Sequence, residues 1–101
     1  MLFVIHGIDK PQSPLREQLI DEHRAYLASS PATIVSSGPL LDETDGRMIG
    51  SLVIVDCAGR HEVDALMADE PFNLAGLYES LHINLWHQRV GAFDQPKEAA
   101  E

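Results

Sequence analysis

The sequence predicts an α+β fold, a four-stranded antiparallel sheet with two helices on one face. Three observations lead there. Four strand-like and two helix-like stretches follow one another in the order β-α-β-β-α-β. The middle two strands are separated by "DETDG", residues 42–46, whose Asp45-Gly46 pair is a tight-turn signal, so they pair as antiparallel neighbours. At 101 residues the chain has room for one domain with a modest core.

Each element has its own signature. "LFVIHGID", residues 2–9, is rich in β-formers and runs into Lys10-Pro11, a turn signal. The first helix opens with Ser13 as N-cap and Pro14 as first helical residue. Leu15, Leu19, Ile20, His23, Tyr26 and Leu27 recur at spacings of three and four, which makes one helical face with His23 on it or at its edge. Ser29, Ser30 and Pro31 end that helix. Residues 32–41 form the second strand, and Gly38-Pro39 is expected to bulge or kink it, because proline cannot donate to a ladder. "MIGSLVIVDC" is the third strand, and its run Leu52-Val53-Ile54-Val55 suggests a central strand apolar on both faces. Residues 59–69 read as the second helix, with Val63, Leu66 and Met67 as its buried stripe. Pro71 breaks it, since the residue before a proline is pushed out of the helical region. "PFNLAGL" is a short helical turn or loop, and residues 78–90 form the fourth strand. The domain spans residues 1–91, and residues 92–101 are a polar C-terminal tail. This order is the ferredoxin-like split pattern, which leaves one sheet face uncovered. An apolar uncovered face on a chain this small suggests pairing of two sheets in a homodimer.

Composition excludes several functions. Seven basic against 16 acidic residues give a net charge of −9, and the basic residues form no run. Such a chain is not expected to bind nucleic acid or an anionic membrane, both of which need clustered Lys and Arg. No apolar run approaches the ~20 residues of a membrane span. "MLFVIHG" lacks the basic start and cleavage pattern of a signal peptide. The single cysteine, Cys57, rules out an internal disulfide framework and fits a reducing cytosol, so a cytoplasmic location is expected.

Few residues carry candidate chemistry. His23 suits proton shuttling, because an unperturbed imidazole titrates near neutrality; it equally suits a partly buried structural histidine. Asp69, at the end of the second helix, could orient a histidine or simply be a solvated acid beside Glu70. Gly38 would let a ligand approach the backbone. Of the histidines, His6, His23, His61, His82 and His87, no pair has the spacing of a helical zinc motif, and no metal or cofactor is expected. Ser36-Ser37-Gly38 is not a nucleophile elbow.

Taken together, "MLFVIHGIDKP", "LIDEHRAYL", "SSGPLLDETDGRMIGSLVIVD", "MADEPFNLAGLYES" and "HINLW" resemble the YCII-related (YciI-like) family over roughly residues 1–90. The resemblance implies a ferredoxin-like fold assembled as a dimeric α/β barrel, related to muconolactone-isomerase-like proteins. It implies an active site pairing a histidine of the first helix with the aspartate of an Asp-Pro-aromatic motif, here His23 and Asp69. The family's Gly-Pro falls on Gly38 and Pro39, and its Gly-Ser on Gly50 and Ser51. Activity attributed to the family is proton transfer or elimination on small ring compounds without a metal. This chain departs at one place, where Glu70 stands between Asp69 and Pro71, which leaves two readings open: Glu70 takes the aspartate's place, or a small kink restores Asp69.

The expected function is therefore a small cofactor-independent enzyme, lyase- or isomerase-like, with His23 as base or acid and Asp69 as its partner. Substrate would be held by Arg24, Gly38, Pro39, Ser51 and Phe72, with Leu40 and Leu77 as further apolar walls. The alternative is a non-catalytic module that binds a small ligand or an assembly partner. A monooxygenase-like activity on aromatics is a third reading that the sequence neither requires nor excludes. The environment of His23 separates the first two: a catalytic histidine needs a reachable ring nitrogen beside a carboxylate, whereas a structural one has both nitrogens satisfied.

Overall fold

The computed structural model describes residues 1–30 and 32–91. The polar tail over 92–101 and the helix-ending role of Pro31 lie outside the described residues. The elements are β1 (Leu2–Asp9), α1 (Leu15–Ala28), β2 (Thr33–Leu41), β3 (Met48–Asp56), α2 (Arg60–Ala68), α3 (Pro71–Leu74) and β4 (Tyr78–Trp86). The four strands form one antiparallel sheet in the order β2-β3-β1-β4, which is the ferredoxin-like arrangement.

The register decides which side chains meet. Phe3 lies opposite Val55 and Leu85, Ile5 opposite Val53 and Ile83, and Gly7 opposite Ser51 and Leu81. Directly opposed residues share a face. That face forms the core, in which Phe3, Ile5, Val53 and Val55 pack against Val63, Leu66 and Met67 of α2. The alternate residues Val4, His6, Ile8, Leu52 and Ile54 point to the other face. Cys57 is buried just past β3.

Three local expectations are corrected. Pro14 takes the N-cap position and α1 begins at Leu15; the Ser13 hydroxyl instead accepts the Leu15 backbone N–H at 3.2 Å. The ladder irregularities of β2 fall between Ile34 and Ser36 and between Leu40 and Leu41, while Gly38 and Pro39 stay in register opposite Leu52 and Ser51. As the edge strand, β2 can hold a proline without breaking the sheet. β4 ends at Trp86, where its pairing with Leu2 runs out, rather than at Val90.

Candidate functional site

The site is built where α1 crosses the β2–β3 side of the sheet. Arg16 and His23 are seven residues apart, about two helical turns, so they share a face of α1. They are the buried residues of that helix. A cleft of about 370 Å³ opens beside them, bounded by Arg24 and Leu27 of α1, Gly38 and Pro39 of β2, and Ser51 of β3.

Glu70, not Asp69, is the carboxylate that meets His23. Its Oε1 bonds the imidazole Nδ1 in a short, buried contact. The cause is local. Asp69 is the C-cap of α2 and its side chain is exposed. Glu70 precedes Pro71, is held extended at φ −67° and ψ 126°, and serves as N-cap of α3. That turn swings its side chain inward, where it is 1% exposed. Its second oxygen accepts the Asn73 backbone N–H at 3.0 Å, and the Asn73 amide donates to the Met67 carbonyl at 2.9 Å. Both carboxylate oxygens are thus engaged.

With Nδ1 donating to Glu70, the lone pair of His23 lies on Nε2. Nε2 has no hydrogen-bond partner among the described residues. No buried side-chain nitrogen or oxygen among them lacks a partner, so Nε2 is reachable from outside. The imidazole also stacks on Phe72, with ring centroids 4.1 Å apart and planes at 15°.

A second polar cluster adjoins the first. Arg16 grips Asp9 through two bonds, Nε to Oδ2 at 2.6 Å and Nη2 to Oδ1 at 2.8 Å. Nη2 also donates to Ser51 Oγ at 2.8 Å, and the Tyr78 hydroxyl donates to the same oxygen at 3.0 Å. The Arg16 guanidinium lies 4.6 Å from the centre of the Phe72 ring, a cation–π contact. Burial works against the Arg16 charge, but the Asp9 carboxylate outweighs it and holds the group more basic than usual. Burial pushes the Tyr78 hydroxyl up to about 12, so it keeps its proton at neutral pH.

The expected substrate-binding residues divide. Arg24, Gly38, Pro39 and Ser51 line the cleft. Phe72 and Leu77 are fully buried and do not; Phe72 backs the imidazole instead. Leu40 is opposite Gly50 and lies on the other face of the sheet. Sequence reasoning missed Asp9, Arg16 and Tyr78. A readable signal existed for one of them: Arg16 is a charged residue seven positions before His23 on the same helical face. Among the described residues no cluster of three or more His, Cys, Asp and Glu is placed to hold a metal ion. No described helix is long and apolar enough to cross a membrane.

No curated protein matches the chain. Among solved structures, it is similar to 5-chloro-2-hydroxyhydroquinone dehydrochlorinase from Burkholderia phenoliruptrix, determined in complex with 2,5-dihydroxybenzoquinone. Identity is 32%, the TM-score is 0.82, and the match covers 88% of this chain and 96% of that one. The YCII-related domain matches residues 1–87, so this chain belongs to the YCII-related family.

Proposed function

We propose that the chain is a cofactor-independent lyase in which His23 removes a proton from a small ring compound and a leaving group departs. The observation that carries this is the His23–Glu70 pair, a buried carboxylate on Nδ1 with Nε2 left reachable beside a cleft. Where chlorine sits beside a ring hydroxyl, the enol first becomes its keto tautomer, a proton passing from that oxygen to the chlorinated carbon. Nε2 then takes the proton of a second ring hydroxyl, the electron pair left behind makes a second carbonyl and shifts the ring double bond to the chlorinated carbon, and chloride leaves that carbon with its bonding pair. Loss of H⁺ and Cl⁻ is redox-neutral and calls for no oxidant. Glu70 fixes the imidazole tautomer and balances the imidazolium that forms. Phe72 holds the ring plane, and Arg24, Gly38 and Pro39 shape the cleft mouth.

The dehydrochlorinase supports elimination from a hydroxylated ring as the reaction class. The alternative of a purely structural histidine requires both ring nitrogens to be satisfied, and only Nδ1 is. The reading includes a homodimer formed through the uncovered sheet face.

The test is chloride release from 5-chloro-2-hydroxyhydroquinone by the wild-type chain, His23→Ala, Glu70→Gln and Asp69→Asn. The expected result is turnover by wild type, a fall of about 10²–10⁴ for His23→Ala, a smaller fall for Glu70→Gln, and near-wild-type rates for Asp69→Asn. Equal turnover by wild type and His23→Ala would overturn the reading.

A further inference from the structure

Ser51 has a hydrogen whose direction follows from its neighbours. A hydroxyl has one donor hydrogen and two acceptor lone pairs. Ser51 Oγ receives the Arg16 Nη2 hydrogen, and arginine can only donate. It also receives the Tyr78 hydroxyl hydrogen. We assign the donor role to Tyr78, whose hydroxyl meets no other acceptor among the described residues, while Ser51 faces the cleft. Both lone pairs of Ser51 are therefore used. Its own O–H donates to no described group, and Ser51 lines the cleft.

We propose that the Ser51 O–H is a preset donor for a single ligand oxygen, a ring hydroxyl or carbonyl that gains negative charge as the reaction proceeds. The proposal rests on the reading of this cleft as the ligand site, and it adds the feature by which a ligand is chosen. Two donors feeding Ser51, one of them charged, make its remaining hydrogen a stronger donor than that of a lone serine. The site is also selective about charge. Arg16 is already paired with Asp9 through two hydrogen bonds, so its fork and its charge are largely committed. Arg16 Nη1 makes none of these contacts and, like His23 Nε2, is reachable, since no buried side-chain nitrogen among the described residues is without a partner. One polarised O–H and one N–H beside a neutralised ion pair suit a single oxygen that gains charge during the reaction. Neither offers a carboxylate a free cationic fork, so a carboxylate in this cleft would turn to Arg24 rather than to Ser51.

This assigns roles absent from the expected dyad. Ser51 touches the ligand oxygen, Tyr78 and Arg16 are positioning residues that act through Ser51, and Asp9 holds Arg16. The site is crowded enough to fix the arrangement. A Cβ on Gly7 would stand 2.7 Å from the Tyr78 ring, so only glycine lets that ring lie against β1.

The experiment is equilibrium binding, followed by the visible absorbance of the nitrophenolate and by calorimetry. The probes share one ring: 4-nitrophenol, 4-nitroanisole (the same oxygen methylated) and 4-nitrobenzoate. The proteins are wild type, Ser51→Ala, Tyr78→Phe and His23→Ala. Wild type is expected to bind 4-nitrophenol about tenfold or more tightly than either other probe. Ser51→Ala should lose that preference, and Tyr78→Phe should reduce it about threefold and shift the bound nitrophenolate band. Should Ser51→Ala fail to fold, Tyr78→Phe still decides, because a structural role for its hydroxyl would leave the band unmoved. Absence of 4-nitrophenol binding to wild type, equal binding of the ether, tighter binding of the benzoate, or an unchanged preference in Ser51→Ala would each overturn the proposal. His23→Ala separates this from the elimination reading. It should keep the oxygen preference while losing chloride release, so either idea can fail without the other.

Discussion

Phe72 carries the His23 imidazole flat against its ring, 4.1 Å between centroids and 15° from parallel. The same phenylalanine meets Tyr78 edge-on at 6.3 Å and lies under the Arg16 guanidinium. One fully buried ring thus supports both polar clusters of the cleft from behind. Truncation to Phe72→Ala should destabilise the fold by about 3–5 kcal/mol, the usual cost of emptying a buried aromatic site. Phe72→Leu keeps most of the volume and should lose less. Its turnover should still fall, with kcat affected more than KM, because the imidazole plane is no longer fixed. Urea unfolding and steady-state kinetics on the two variants check this. Full activity in a folded Phe72→Leu protein would reduce the stack to core packing.

The Glu70 contact makes a separate statement about the proton on His23. A carboxylate on Nδ1 selects the tautomer with hydrogen on Nδ1 and the lone pair on Nε2. Long-range proton–nitrogen NMR spectra should show that tautomer in wild type and in Asp69→Asn. Glu70→Gln presents an amide that can also donate, so the preference should weaken or reverse. A tautomer insensitive to Glu70 but altered by Asp69→Asn would return Asp69 to the site.

That exchange of carboxylates marks where the sequence was legible and where it was not. Strand and helix order could be read because β1 and β3 are short, dense runs of β-formers and α1 shows a clean three-and-four spacing. His23 was readable as one side chain of that helical face. Its partner was not, because partner choice depends on a single backbone turn. The acid that meets His23 is the one directly before the proline. Pro71 holds that position extended and turns its side chain inward, while the preceding Asp69 still ends α2 and faces solvent. Matching the aspartate by residue type selected the wrong neighbour; matching the acid by its place before Pro71 selects Glu70. Asp9 and Tyr78 were invisible for another reason. They belong to β1 and β4, and only the sheet register brings them to Arg16 and Ser51.

Tyr78 also gives a pH dependence of stability with a definite sign. Burial, aided by the Glu70 and Asp9 charges, raises its folded-state value to about 12 from 10.0, with the Arg16 charge pulling the other way. The fold therefore favours the neutral phenol. Below about pH 10 both states hold the proton and the contribution is complete. Between about pH 10 and 12 the unfolded chain ionises first, and stability falls by something on the order of 3 kcal/mol. Above about pH 12 the contribution is gone. Tyr26 and Cys57 are also raised by burial, so the measurement is a difference. Denaturant midpoints of wild type should drop more steeply over this window than those of Tyr78→Phe. Parallel curves would mean that the hydroxyl ionises in the folded protein as readily as in the unfolded one.

The uncovered sheet face yields the last prediction. Val4 lies opposite Ile54 and Asn84, His6 opposite Leu52 and His82, and Ile8 opposite Gly50 and Ser80, all on the side away from the core. β3 is apolar on both faces over residues 52–55, which is the pattern of a strand covered twice. Among the described residues α1 and α2 cover one side only, and the homodimer reading assigns the second cover to another copy. A homodimer with sheet against sheet is the expected solution state. Sedimentation at micromolar concentration should show it, and Leu52→Glu should yield a monomer. That variant would bury a carboxylate in an apolar interface, a cost of several kcal/mol unless the copies separate. The fold itself should survive, because Leu52 points away from the core formed by Phe3, Ile5, Val53 and Val55. Circular dichroism would confirm this. A wild-type chain that sediments as a monomer would mean that the open face serves some partner other than a second copy.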